Sequence, residues 1–173
     1  LRDLNEAWAA VRAGATLVVS VSGASGIGKS ELIRRFLETP AVAQSSLVLS
    51  GRCHPQESLA FNALDGVIDD LATSLARLSP QELDAVRPPD LDALLRLFPT
   101  LARVPTFVPL ASAPTGERAT PEVRRVAFAS LKSLFTRLTA FKTPLLWLDD
   151  LQWADVDSAA LLRELLRGPD RPP

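Results

Sequence analysis

The order of apolar and polar positions divides the chain into short strands and amphipathic helices. Leu4, Trp8 and Val11 share one stripe of residues 2–13, with Gly14 placed as a C-terminal stop, so a first helix is expected there. Leu17-Val18-Val19-Ser20-Val21 reads as a strand, and beyond a polar, glycine-rich octet Leu32, Ile33, Phe36 and Leu37 recur at helical spacing. Pro40 closes that unit, and the run from Ser46 to Gly51 predicts a second, buried strand. Phe61, Leu64, Ile68, Leu71 and Leu75 trace a long amphipathic helix that reaches about Leu78. Ser79-Pro80-Gln81-Glu82 is a capping box with proline at the first helical position, and Asp90 caps another helix carrying Leu91, Leu94, Leu95 and Phe98 before Pro99. From Thr100 to Pro121 the chain is broken by Pro105, Pro109, Pro114 and Pro121 and holds Gly116, which predicts a mobile surface loop. Thr120-Pro121-Glu122 opens a long helix with Val123, Val126, Leu131, Leu134, Phe135 and Leu138 facing inward. Pro144 ends the exit loop of that helix, and Leu145 to Leu148 follow as a strand with two carboxylates, Asp149 and Asp150, behind it. Asp155 or Asp157 caps a last helix, whose stripe is Leu161, Leu162, Leu165 and Leu166 and whose stop is Gly168-Pro169. Few strands alternating with many helices predict an α/β fold.

Composition narrows the function classes. With 173 residues, 47% hydrophobic and 23% charged, the chain suffices for one globular domain with a real core. Nineteen basic residues against twenty acidic ones argue against bare DNA or an anionic membrane as the main partner. No apolar run approaches a membrane span and the first residues lack the order of a signal peptide, so the expected compartment is the cytosol. Cys53 and His54 are the single cysteine and histidine, too few ligands for a zinc site. Cys53 is expected as a reduced thiol at a strand end, and adjacent side chains leaving a strand diverge, which disfavours a catalytic dyad. The chain holds no methionine, and it reads as the N-terminal part of a longer domain, cut at both ends.

The octet Gly23-Ala24-Ser25-Gly26-Ile27-Gly28-Lys29-Ser30 fits G-x-x-x-x-G-K-[ST] without a mismatch, between an expected strand and an expected helix. Glycines allow positive φ, so successive N–H groups turn inward and form an anion nest at a helix N-terminus. Lys29 then serves the β- and γ-phosphates of a triphosphate, and the Ser30 hydroxyl serves Mg²⁺. The alternative is a plain glycine turn before a helix. A buried strand that delivers Asp149 far downstream of such a loop supplies the metal-side carboxylate, and Asp150 is the candidate to orient and deprotonate the attacking water, the alternative being a strand that merely ends in an acidic turn.

Beyond these residues the chain resembles the AAA/STAND-type ATPase modules of large signalling proteins, close to origin-recognition-like AAA domains. The resemblance rests on GASGIGKS, on LSGRC after the second strand, on LFP at Leu97 to Pro99, and on PLLWLDDLQWAD from Pro144 to Asp155. Such modules stand beside bacterial kinase, cyclase and LuxR-type regulatory domains, usually followed by helical repeats. The resemblance implies a P-loop NTPase sheet of the ASCE/AAA type, parallel and flanked by helices. In it, residues 23–30 hold the triphosphate, 60–140 form a helical insert, and 145–150 carry the second acidic motif. It assigns Gly23 through Ser30 to ATP, Ser30 and Asp149 to Mg²⁺, and the catalytic-carboxylate position to Asp150, where many relatives have the longer Glu. Slow turnover follows from the shorter side chain. Gln152 is expected to sense the γ-phosphate or to be a polar turn residue with Trp153 packed on the core. The family sheet places another strand between the phosphate-loop strand and the Asp149 strand. That strand, the last strand and the helical lid are missing here, so the expected sheet is incomplete. Arg124 and Arg125 are expected on the long helix, either reaching a neighbouring subunit or, as two arginines on a helix usually do, covering a solvated face, and no arginine finger is assigned.

The expected function is an ATP-binding, slowly hydrolysing switch within a signalling or transcription-regulatory protein. Its expected partners are ATP and neighbouring domains or proteins, with nucleotide-dependent oligomerisation as an option. Alternatives are a binding-only nucleotide module, or a P-loop small-molecule kinase or nucleic-acid motor. The paired carboxylates argue against the kinase and the near-zero charge against the motor.

Overall fold

The computed structural model describes residues 1–54, 60–107, 119–168 and 171–172. Its elements in chain order are α1 (Arg2–Arg12), α2 (Lys29–Leu37), α3 (Pro40–Ser45), β1 (Ser46–Arg52), α4 (Asp65–Leu75), α5 (Pro80–Val86), α6 (Leu91–Leu97), α7 (Pro121–Leu138), β2 (Thr143–Asp149) and α8 (Val156–Leu165). Short 3₁₀ turns at Pro99–Arg103 and Leu151–Trp153 complete the set. The chain is therefore α/β, with helices around a parallel pair of strands. Ser46 stands opposite Thr143 and Arg52 opposite Asp149 in an unbroken register.

Strand β2 shows why its sequence is a continuous apolar run. Leu145 and Trp147 pack on a small core of Leu4, Trp8, Ile33, Phe36 and Val42 from α1, α2 and α3. Leu146 and Leu148, the alternate residues, pack with Leu47 and Leu49 of β1 against the larger core built by α4 to α8. A strand served by cores on both faces has no polar side to display.

The helix ends follow local chemistry. Ser79 and Glu82 form the expected reciprocal box, in which the Ser79 N–H donates to Glu82 at 2.8 Å. Thr120 caps α7 by accepting from the Val123 N–H, and Asp155 caps α8 by accepting from the Ser158 N–H. Asp90 precedes α6 without a side-chain cap bond.

Several expectations are corrected. Residues 17–21 form neither helix nor strand: among the described residues β1 and β2 pair only with each other. Leu17 and Val19 are exposed and Val18 is 72% exposed, while Val21 leans on the α1–α3 core. β-branched residues favour a pleated, half-buried surface, but they do not supply the neighbour that makes a strand. Pro40 opens α3 rather than ending a unit, because proline costs nothing at a first helical turn where its missing N–H has no partner. The helix expected from Phe61 begins at Asp65, with Phe61 itself at φ 67° outside it. Pro144 lies inside β2, opposite Leu47, rather than in a loop before it. Pro99 stops α6 and opens a 3₁₀ turn, so the irregular stretch begins later than Thr100. The rest of that expected mobile loop, at 108–118, lies outside the described residues.

The contact between α4 and β1 is unusually close. A Cβ added to Gly51 would lie 2.3 Å from the Ala63 carbonyl oxygen, and one added to Gly66 would lie 2.6 Å from that of Ser50. The Ser50 N–H and hydroxyl donate to Asp70 Oδ2 at 2.8 and 2.7 Å, so α4 also occupies hydrogen-bonding groups along the outer side of β1. The substitution Gly51→Ala is expected to destabilise the fold by about 1–3 kcal/mol, as overpacking does when backbone must move. Equilibrium urea unfolding measures this, and a midpoint equal to that of the parent would show that strand and helix separate freely.

Candidate functional site

The octet folds as the glycines require. Gly28 is the N-cap of α2 at φ 96° and Gly26 sits at φ 78°, conformations open to glycine and costly for other residues. A Cβ at either would meet nothing within 4 Å, so backbone conformation rather than crowding selects glycine here. The Lys29 ammonium turns back over the loop and donates to the Gly23 and Ala24 carbonyls, each at 3.0 Å. Ser30 follows in the exposed first turn of α2. Gly23, Ala24, Ser25, Gly26, Ile27 and Gly28 are all exposed, so the loop is open to a ligand. A positively charged side chain and a helix N-terminus thus meet at one accessible point.

Asp149 is the last residue of β2. Its parity matches that of Trp147, which packs on the α1–α3 core together with Leu32, so Asp149 leaves the sheet on the α2 side. Its carbonyl accepts from the Cys53 N–H at 3.1 Å, and its Oδ1 accepts from the Asp150 N–H at 3.0 Å. An open cleft of about 510 Å³ lies beside it, lined among others by Arg52, Asn62 and Trp147. The octet does not line that cleft.

Asp150 has φ 55° and ψ 38°, a left-handed conformation that a non-glycine residue adopts at a cost. Both of its carboxylate oxygens are engaged. Arg52, at the end of β1, donates to Oδ2 through Nε at 3.3 Å and Nη2 at 3.1 Å, and Gln152 Nε2 donates to Oδ1 at 3.2 Å. Arg52 is the residue that sequence reasoning missed. It stands in the LSGRC segment that carries part of the resemblance, and the parallel register brings it opposite the acidic pair. Gln152 is a turn residue, as one of its two expectations had it. Trp153, expected on the core in that case, is 50% exposed, because the 3₁₀ turn carries it outward.

Asp155 and Cys53 complete the acidic end. Burial raises the Asp155 carboxyl, but hydrogen bonds from the Ser158 side chain and backbone and from the Phe61 N–H outweigh it and hold the group below its ordinary range. Burial pushes the Cys53 thiol up, and the charges of Asp155, Asp150 and Asp149 push it the same way, so Cys53 remains a protonated, buried thiol. Arg124 is no bare solvated residue: it pairs with Asp157 and its guanidinium lies 5.6 Å from the Phe61 ring centroid. Arg125 pairs with Glu122 on the exposed face, as expected for that side of α7.

With this geometry in place, comparison with known families is decisive. The family model for the AAA ATPase domain matches residues 1–173. The chain belongs to the AAA ATPase domain family. No curated protein and no solved structure matches it. As an AAA domain it is a nucleotide-binding ATPase module of the P-loop class, and its glycine loop before α2 and parallel strand pair agree with that class. No described helix of this AAA domain is long and apolar enough to cross a membrane.

Proposed function

We propose that this AAA domain is an ATP-binding, slowly hydrolysing switch that passes nucleotide state to adjacent domains or protein partners of a signalling or transcription-regulatory protein. The observation that carries the proposal is the octet's geometry: Lys29 stands over a glycine loop that caps α2. In this reading Gly23 through Ser30 hold the triphosphate, Ser30 and Asp149 hold Mg²⁺, and Asp150 receives the proton of the attacking water. Among the described residues no group of three His, Cys, Asp or Glu side chains suffices for a metal alone. Mg²⁺ at nucleotide sites commonly takes one or two protein oxygens, and Ser30 and Asp149 would be the two that this chain offers it. Lys29 and the loop amides would orient the phosphates, whose charge a bound Mg²⁺ would neutralise.

Slow hydrolysis is supported by Asp150, whose carboxylate oxygens are both occupied by Arg52 and Gln152, so that an attacking water has to displace one of these contacts to reach it. The substitution Arg52→Ala is therefore expected to raise phosphate release. An exposed ion pair contributes about 0.2–1 kcal/mol, so the rise is about 1.5- to 5-fold. A steady-state phosphate-release assay on both chains tests the reading. Parent turnover that is slow and rises in the variant supports it, and equal or lower turnover in the variant removes the restraining role of Arg52. ATP binding with no release from either chain replaces the switch by a binding-only module.

A further inference from the structure

The segment that carries Asp150 is short and tied down at both ends. At one end β2 fixes Asp149, and between them the Trp153 N–H donates to the Asp150 carbonyl at 3.0 Å and the Ala154 N–H to that of Leu151 at 3.1 Å. At the other end stands Asp155. Its Oδ1 accepts two main-chain N–H groups from different parts of the chain, Ser158 at 2.8 Å and Phe61 at 3.1 Å, and its Oδ2 accepts the Ser158 hydroxyl at 2.5 Å. The Ser158 bonds cap α8, whereas the Phe61 bond reaches a residue 94 positions earlier. Phe61 is one of two described non-glycine residues with positive φ, and Asp150 is the other. A strained backbone persists only where its surroundings over-determine it. Here the Phe61 ring is held edge-on by Phe98 at 5.3 Å and Phe128 at 5.9 Å, beneath the guanidinium of Arg124, which itself pairs with Asp157 in the first turn of α8.

We propose that Asp155 is a positioning residue for Asp150: its carboxylate fixes the far end of the acidic turn onto Phe61, and so onto Phe98, just after α6, and Phe128 of α7, whose rings grip that of Phe61. The proposal rests on the hydrolytic reading of Asp150 given above. It assigns Asp155 no part in metal binding or proton transfer, although it is the third aspartate of the cluster. Its oxygens serve local donors, and what the site needs from it is an acceptor at Oδ1 rather than a negative charge.

That difference supplies the test. Asparagine keeps an oxygen for both N–H groups and can donate its amide to the Ser158 oxygen, whereas alanine removes the pin. In the full chain, with rates normalised to folded protein, Asp155→Ala is expected to lower kcat by about ten- to a hundredfold with KM for ATP within about twofold, the range for a misplaced catalytic group. Asp155→Asn is expected to stay within about threefold of the parent in both constants, since it retains the acceptor. Loss of kcat in both variants overturns the proposal in favour of a charge-dependent role. Full kcat in folded Asp155→Ala overturns it in favour of a purely structural cap. A second measurement, amide hydrogen exchange, does not depend on turnover. Exchange at Phe61, Trp153 and Ala154 should quicken in Asp155→Ala and not in Asp155→Asn. If the parent releases no phosphate, the hydrolytic reading fails by itself and the exchange data decide: selective quickening in the alanine variant supports the pin, and unchanged exchange overturns it.

Discussion

Replacing Lys29 by alanine is expected to weaken Mg·ATP binding by tenfold or more. The ammonium would exchange its two contacts with the Gly23 and Ala24 carbonyls for oxygens of the phosphates, which carry full negative charge. A charge-assisted hydrogen bond contributes about 1.5–3 kcal/mol, and each 1.4 kcal/mol is a factor of ten in affinity. The exposed loop has no second basic side chain to take over, because Arg34 and Arg35 on α2 are paired with Glu31. Calorimetric titration of parent and variant with Mg·ATP measures the effect. Equal dissociation constants would remove the octet from the nucleotide site.

The second large effect is expected at the acidic pair, where neighbouring residues should differ in kind. Asp150→Asn should leave Mg·ATP affinity within about twofold and lower turnover by about 10²- to 10⁴-fold, the contribution of a positioned general base. Asp149→Asn should weaken both, because it leaves the sheet on the side of α2 and the ion that it would hold is needed for binding as well as for chemistry. The distinction is read by measuring dissociation constants and single-turnover rates for both variants. If Asp150→Asn hydrolyses ATP at the parent rate, another group accepts the proton. If Asp149→Asn keeps full magnesium-dependent affinity, the metal assignment fails.

What could be read in the chain was what depends on neighbours in sequence. The octet, the Ser79 capping box, the Thr120 cap and the two-sided apolar run of β2 are all fixed within a few residues, and each stands where the pattern puts it. What was not legible depends on partners far away. Nothing in LVVSV indicates whether a strand lies beside it, and nothing in LSGRC indicates that Arg52 meets a carboxylate 98 positions later. Phe61 continues a helical spacing, yet its N–H bonds to Asp155 and its ring packs on Phe98 and Phe128, partners that the spacing does not reveal, and it lies outside α4. The candidate site divides the same way: the phosphate loop is a local object, whereas the surroundings of Asp150 come from β1, β2 and the turn after it.

The segment at 17–21 has a bearing on handling as well as on function. It has five uncharged residues, four of them apolar and three of these valine, with no strand paired to them among the described residues and no proline to interrupt them. A β-prone apolar segment of this kind favours pairing between molecules, and its exposed Leu17, Val18 and Val19 give two copies an apolar seam to bury. The chain therefore carries its own tendency toward concentration-dependent aggregation. A lysine at position 18, pointing to solvent, would act as a gatekeeper without touching the phosphate loop.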